Sequence, residues 1–195
     1  MKIKKLLSLL ITGVMICTFS TSAFAEFFSV SAGIPLSHTF KGEWSGSGGK
    51  VESDGVSGYM LHVKFPIMVG VGLEAYDTNI KAPDGANFDN MKLSTQLYDV
   101  FYLLPVPIVN ITLGVGAGNT SLDCDVSGGA SCDDFYEAGT AYQWWAQFGF
   151  PIFPFLDVHA SYHDVTAKVK GKDSNDDLSF NGNVIALGVA FVRSE

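Results

Sequence analysis

The feature that most constrains this chain is a two-residue alternation, repeated in hairpin-sized blocks. In residues 147–165, QFGFPIFPFLDVHASYHDV, a Pro-punctuated aromatic turn is followed by Leu156, Val158, Ala160 and Tyr162, which alternate with Asp157, His159, Ser161 and His163. Successive side chains of a strand point to opposite faces, so this run makes one apolar and one polar surface. Before the turn, Tyr142, Trp144, Ala146, Phe148 and Phe150 share one face. Gly139, Ala141, Gln143, Trp145 and Gln147 share the other. Two antiparallel strands joined by a short turn are the result. Residues 61–76 and 97–118 repeat the design around Pro66 and around Pro105 and Pro107, and no motif of fixed length recurs, so the repeat is a hairpin and not a solenoid unit.

The remaining strands follow from the same period. Phe28, Val30, Ala32, Ile34 and Leu36 alternate with Ser29, Ser31, Gly33 and Ser37. Tyr59, Leu61, Val63 and Phe65 alternate with Gly58, Met60, His62 and Lys64; Val69, Val71, Leu73 and Ala75 with Gly70, Gly72, Glu74 and Tyr76. Val109, Ile111, Leu113 and Val115 alternate with Asn110, Thr112, Gly114 and Gly116, and Ile185, Leu187, Val189 and Phe191 with Ala186, Gly188 and Ala190. The fourth strand is less regular. Leu93 and Leu97 fit one phase and Tyr98, Val100 and Tyr102 the other, so Asp99 points inward only if a bulge resets the phase.

Eight strands result, joined by three short Pro turns at one end and four longer polar connections, near 41–55, 79–90, 119–137 and 168–178, at the other. A soluble sandwich or lipocalin-like barrel also alternates. Two details favour a membrane barrel. The polar face carries Gly70, Gly72, Gly114, Gly116, Gly118 and Gly188, poor strand formers that suit a narrow lumen of limited volume better than a water-facing surface. Aromatic residues collect beside the short turns, at Phe65, Phe101, Tyr102, Phe148, Phe150, Phe153 and Phe155, where an interfacial girdle belongs.

The first 25 residues read as a secretory signal peptide: Lys2, Lys4 and Lys5, an apolar run from Leu6 to about Phe19, then Ala23-Phe24-Ala25. Residues 26–195 form one barrel domain on this reading. Cleavage after Ala25 removes three lysines and no acid, which takes the net charge from −8 to −11 and argues against nucleic acid as a partner. Of the three cysteines, Cys17 leaves with the signal. Cys124 and Cys132, in DCDVSGGASCDD, are expected to form a disulfide in an exported chain.

With signal, strand count, short turns and acidic connections together, the chain resembles the small eight-stranded outer-membrane barrels of the OmpA-like type. The resemblance is one of architecture over residues 26–193. It implies an all-β fold, an antiparallel up-and-down transmembrane β-barrel in the bacterial outer membrane, with periplasmic turns and extracellular loops. Its partners would be outer-membrane lipids and lipopolysaccharide, and a ligand or protein at the loops; the barrel would be a monomer.

Three classes of function compete. The first is a non-enzymatic envelope protein with a structural or surface-binding role, and this is the reading adopted, with no catalytic, cofactor-binding or metal-binding residue assigned. The second is a lipid A-modifying enzyme of the deacylase kind, for which His159-Ala160-Ser161 supplies a His-x-Ser spacing and Asp157 or Asp164 an orienting acid. That face is the lumen, however, whereas lipid chemistry needs the dyad toward lipid. The third is a narrow pore or a conduit for hydrophobic solutes. Eight strands enclose a space that side chains just fill, so His62, Lys64, Glu74, Gln143, Asp157, His159 and His163 are expected to pair inside and lock the barrel, Lys64 or a protonated His with Glu74 or Asp157. A metal site built from His159, His163 and an acid is disfavoured, because those positions lie about 13 Å apart along one strand.

Overall fold

The structure is a computed structural model that describes residues 26–42, 50–81, 88–104, 106, 109–126, 130–172 and 177–194. The signal segment 1–25 and the prolines at 105 and 107 lie outside the described residues. Eight long strands run β1 Glu26–Phe40, β2 Glu52–Lys64, β3 Val69–Lys81, β4 Phe88–Leu104, β5 Asn110–Val126, β6 Tyr136–Phe153, β7 Leu156–Gly171 and β8 Gly182–Ser194. Each is antiparallel to its neighbour in sequence, and β8 returns to pair with β1, Gly33 opposite Gly188 and Val30 opposite Phe191. The sheet is closed. Closure leaves no edge strand with unpaired backbone groups, which is what a sheet in hydrocarbon requires. Among the described residues no helix is long and apolar enough to cross a membrane; one short helix, α1 Cys132–Phe135, lies between β5 and β6.

The outer face settles which solvent surrounds the barrel. Ile34, Leu61, Val71, Val100, Val115, Trp144, Phe148, Val158, Ile185 and Leu187 are all exposed on consecutive strands, making a continuous apolar band. A monomer in water rarely shows apolar patches beyond a few hundred Å², and a band encircling the whole barrel belongs in lipid. Phe65, Tyr102, Phe148, Phe150, Phe153 and Phe155 are exposed at the turn end, as the girdle reading requires. Phe101 is the exception: it points into the lumen and packs against His62 and Trp145. Toward the loop end Tyr59, Tyr98, Tyr142 and Tyr162 form a second exposed aromatic set.

The irregular fourth strand needs no bulge at Asp99. Pairing of β4 with β3 is unbroken from Lys92 to Tyr102, and Leu93, Thr95, Leu97, Asp99 and Phe101 all point inward while Tyr98, Val100 and Tyr102 point out. Leu93 and Leu97 misled because they are apolar residues of the interior. They belong to a cluster at the loop end that includes Met60, Ile80, Leu122, Val165, Val169, Phe180 and Val184. The lumen thus carries an apolar core of its own above a polar middle.

The connections are also shorter than the sequence indicated. Strands β2 to β7 continue past the apolar band as hairpins with polar rims, so that Glu52, Lys81, Asp123 and Asp125, placed in connections by the alternation, sit on strands. Opposite charges meet across neighbouring strands there, Lys81 with Glu52 at 3.7 Å and Lys92 with Asp77 and Asp123 at 3.6 and 3.7 Å. Cys124 at the end of β5 is bonded to Cys132 at the start of α1, with Cα atoms 5.1 Å apart. Both are buried against the apolar core, so the disulfide fastens the β5–β6 connection down as a cap on the barrel.

The candidate functional site in the lumen

The inward glycines are seats for large side chains. A Cβ at Gly70 would strike the Phe101 ring, at Gly114 the Trp145 indole, at Gly188 the His159 imidazole, at Gly72 His62 and Asp99, and at Gly116 Asp99 and Gln143. In a lumen this narrow a bulky group on one strand needs bare backbone on the next, which is why β3, β5 and β8 carry glycine where their neighbours carry rings.

All four histidines, His38, His62, His159 and His163, are buried inside. From the turn end upward the contents change. Lys64 and Asp157 face each other in the lowest layer, with Asn110 donating to Asp157. A cavity of about 40 Å³ there is bordered by Ser29, Ser31, Lys64 and Phe101. A few waters fit such a volume.

The middle layer is a connected polar network. Glu74, wholly buried on β3, has His62 Nε2 at 3.3 Å and His163 Nδ1 at 3.4 Å from its Oε1. On β4, Asp99 accepts hydrogen bonds at Oδ1 from Gln143 Nε2 at 2.7 Å and from Trp145 Nε1 at 3.2 Å. His163 shares hydrogen bonds with Gln143 Oε1 at 3.2 Å through Nδ1 and with Ser161 Oγ at 2.8 Å through Nε2. The Trp145 indole stacks on His163 with centroids 5.6 Å apart and tilts over His62 at 5.0 Å. Higher still, His38 bonds Thr78 at 2.8 Å, and above it the apolar core closes the lumen.

The structure therefore gathers His62, Glu74, Gln143 and His163, as the alternation placed them, and adds Asp99 and Trp145. Lys64 and Asp157 lie apart from that group, lining one cavity together. The His159–Ser161 dyad does not form. Ser161 bonds His163, and His159 turns toward Gly188. Two positions along a strand share a face in either direction, and only the rotamers choose the partner. His38 lies one residue beyond the alternation, which runs to Ser37 and puts that serine inward; the phase of Ser29, Ser31 and Gly33 breaks between Pro35 and Ser37, where the register with β8 shifts by one residue, and His38 takes the inward position.

No family model matches the sequence, and no curated protein matches it. Solved structures do. Neisserial surface protein A superposes with a TM-score of 0.61 at 15% identity, over 85% of this chain and 96% of that one. The outer membrane protein AlkL, solved in lipid bilayers, gives 0.52 at 10% identity over 90% and 94%, and the attachment invasion locus protein Ail of Yersinia pestis gives 0.50 at 16% over 85% and 96%. At such identities the likeness is one of fold, and it meets the apolar band and closed sheet derived above. The chain has the architecture of the small eight-stranded outer-membrane β-barrels, and its lipid-facing surface fits it to the bacterial outer membrane.

Proposed function

We propose that the protein is a non-enzymatic outer-membrane barrel that acts as a monomer among outer-membrane lipids and lipopolysaccharide, with the short turns in the periplasm and the polar rim at the cell surface. The reading is supported above all by the side chains that occupy the lumen in layers: Lys64 and Asp157, the histidine and acid network, and the apolar core beneath the disulfide cap. A pore needs continuous water, and a hydrophobic conduit an apolar path; alternating polar and apolar layers supply neither. As an enzyme the lumen is equally poorly suited. Ser161 and His163 are buried away from lipid, and a nucleophile without substrate access has nothing to attack.

Interaction is then left to the rim. An open depression of about 850 Å³ there is bordered by Asp54, Asp123, Asp125 and Asp133 together with Lys81 and Lys92, a surface for a polar or cationic partner. The test is reconstitution of the refolded chain. Single-channel recordings in planar bilayers should show no conductance, and lipid A incubated with the protein should keep its mass. Steady conductance would revive the pore reading, and a lipid A mass change the enzyme.

A further inference from the structure

The middle layer of the lumen holds two carboxylates that face no lysine or arginine in any contact among the described residues. Glu74 and Asp99 are 0% and 3% exposed, and among the described residues their charged neighbours are each other and the imidazoles of His62 and His163. Burying anions without compensation is costly, and buried charges are ordinarily paired or coordinate metals. Lys64 lies with Asp157 in the layer below. The polar atoms facing one another here are also left without hydrogen bonds: His62 Nε2, both Glu74 oxygens and Asp99 Oδ2. The imidazoles come within ion-pair distance of Glu74 but are not aligned to donate to it.

We propose that this layer binds one divalent transition-metal ion of the zinc class, through His62 Nε2, Glu74 and Asp99 Oδ2, with His163 Nδ1 able to swing from Gln143 to complete four-coordination. One ligand atom from each of His62, Glu74 and Asp99 lies within 4.8 Å of the others. Donors around a tetrahedral zinc at about 2.0–2.2 Å are about 3.3–3.6 Å apart, so side-chain adjustments of the order of 1 Å close the set. His62 and His163 already stand at 3.3 and 3.4 Å from Glu74. Two neutral imidazoles, two carboxylates and a dication sum to zero charge, which removes the cost of the buried anions. Mixed nitrogen and oxygen donors suit zinc, cobalt or nickel; calcium and magnesium want six or more oxygens.

The surroundings hold the ligands in the orientation a metal needs. Gln143 and Trp145 both donate to Asp99 Oδ1, which fixes the carboxylate with Oδ2 turned inward. Ser161 engages His163 Nε2, which leaves Nδ1 on the side of Glu74. Such outer contacts set ring orientation and tautomer in metal sites. Gly72 and Gly116 provide the room, since a side chain at either would displace His62 or Asp99. The ligands come from β2, β3, β4 and β7, so an ion here would tie both sides of the barrel across its axis.

The full chain, made without a histidine tag, is refolded in detergent with Co2+ or Zn2+, or with chelator, and freed of unbound metal. The expected result is about one ion per chain, an intense visible Co2+ spectrum of four-coordinate type, and a higher heat-unfolding midpoint than the chelator-treated form. Glu74→Gln with Asp99→Asn keeps size and removes both charges; it should lose at least ten-fold of the bound metal and all of the metal-dependent rise in midpoint. His159→Ala should keep both, because His159 lies outside the set. Should the double variant fail to show the compact unboiled band, His62→Gln carries the same comparison. Wild-type protein refolded with metal yet free of it, or variants that retain the wild-type content, would overturn the proposal and leave the layer a purely proteinaceous network.

Discussion

Substituting arginine for Val115 tests the face assignment and the depth scale together. Val115 is 60% exposed on β5, flanked across the strands by Val100 and Trp144, and lies midway between Ile111 and Asn119. With a rise of about 3.4 Å per residue and a strand tilt near 40°, the four residues from Val115 to Asn119 span about 10 Å along the membrane normal. The apolar band of such barrels is about 25 Å tall, so Val115 sits near its middle and Asn119 close to its edge. Val115→Arg should therefore cost about 2–4 kcal/mol, and Asn119→Arg about 0–1 kcal/mol. Reversible unfolding in guanidinium against phospholipid vesicles, followed by tryptophan fluorescence and by the shift between unboiled and boiled bands, measures both. Equal costs at the two positions would refute the placement of the band, and a negligible cost at Val115 would refute a lipid-facing surface altogether.

Other expectations follow from the interior and the rim. Replacing Cys124 and Cys132 by serine opens a loop of sequence separation 8 and should lower stability by roughly 2–3 kcal/mol, with mass spectrometry of the native chain showing no free thiol. Gly114→Val places methyl groups where the Trp145 indole lies and should cost about 1–3 kcal/mol or more, read as a lower midpoint with altered tryptophan emission. Ser161→Ala should cost only the hydrogen bond to His163, about 0.5–1.5 kcal/mol, and leave lipid A untouched. Lys41, at the rim just past β1, is held above the usual lysine range by its 2.6 Å hydrogen bond to Asp164. Because the folded value is the higher one, that contact is complete below the ordinary lysine pKa and is lost as pH rises through the raised value; both groups meet solvent, so Lys41→Met should leave stability at neutral pH within error.

The lipid-facing surface was legible because a strand between lipid and a polar lumen has contrast at every step, as Val158, Ala160 and Tyr162 against Asp157, His159 and Ser161 illustrate. Contrast failed where the interior turns apolar. Leu93 and Leu97 are chemically the same as lipid-facing residues, so only pairing with β3 and β5 reveals their direction. Strand ends were lost for the opposite reason, since beyond the membrane both faces are polar and Glu52, Lys81 and Asp123 read as loop although they continue the ladder. The polar network was half visible. Its members share the inward phase, but that Glu74 meets two histidines from β2 and β7 depends on the barrel's closure, which brings together residues about ninety positions apart. The disulfide was legible from compartment and spacing alone, whereas its burial beneath the rim was not.

The seats made by the inward glycines also bear on how the barrel finds its one pairing among many. Sliding β6 along β5 by two residues would carry the Trp145 indole away from Gly114 to face either the Thr112 side chain or Gly116, where Asp99 and Gln143 already occupy the space. A slide by one residue would instead turn Gln143 and Trp145 outward and present an amide to hydrocarbon. Similar mismatches await Phe101 if it leaves Gly70 and His159 if it leaves Gly188. Each bulky group with its bare partner therefore works as a tooth in a notch, and the teeth on different strands mesh together at a single shear, so a hairpin arriving out of step is rejected by volume before the last strand closes on the first.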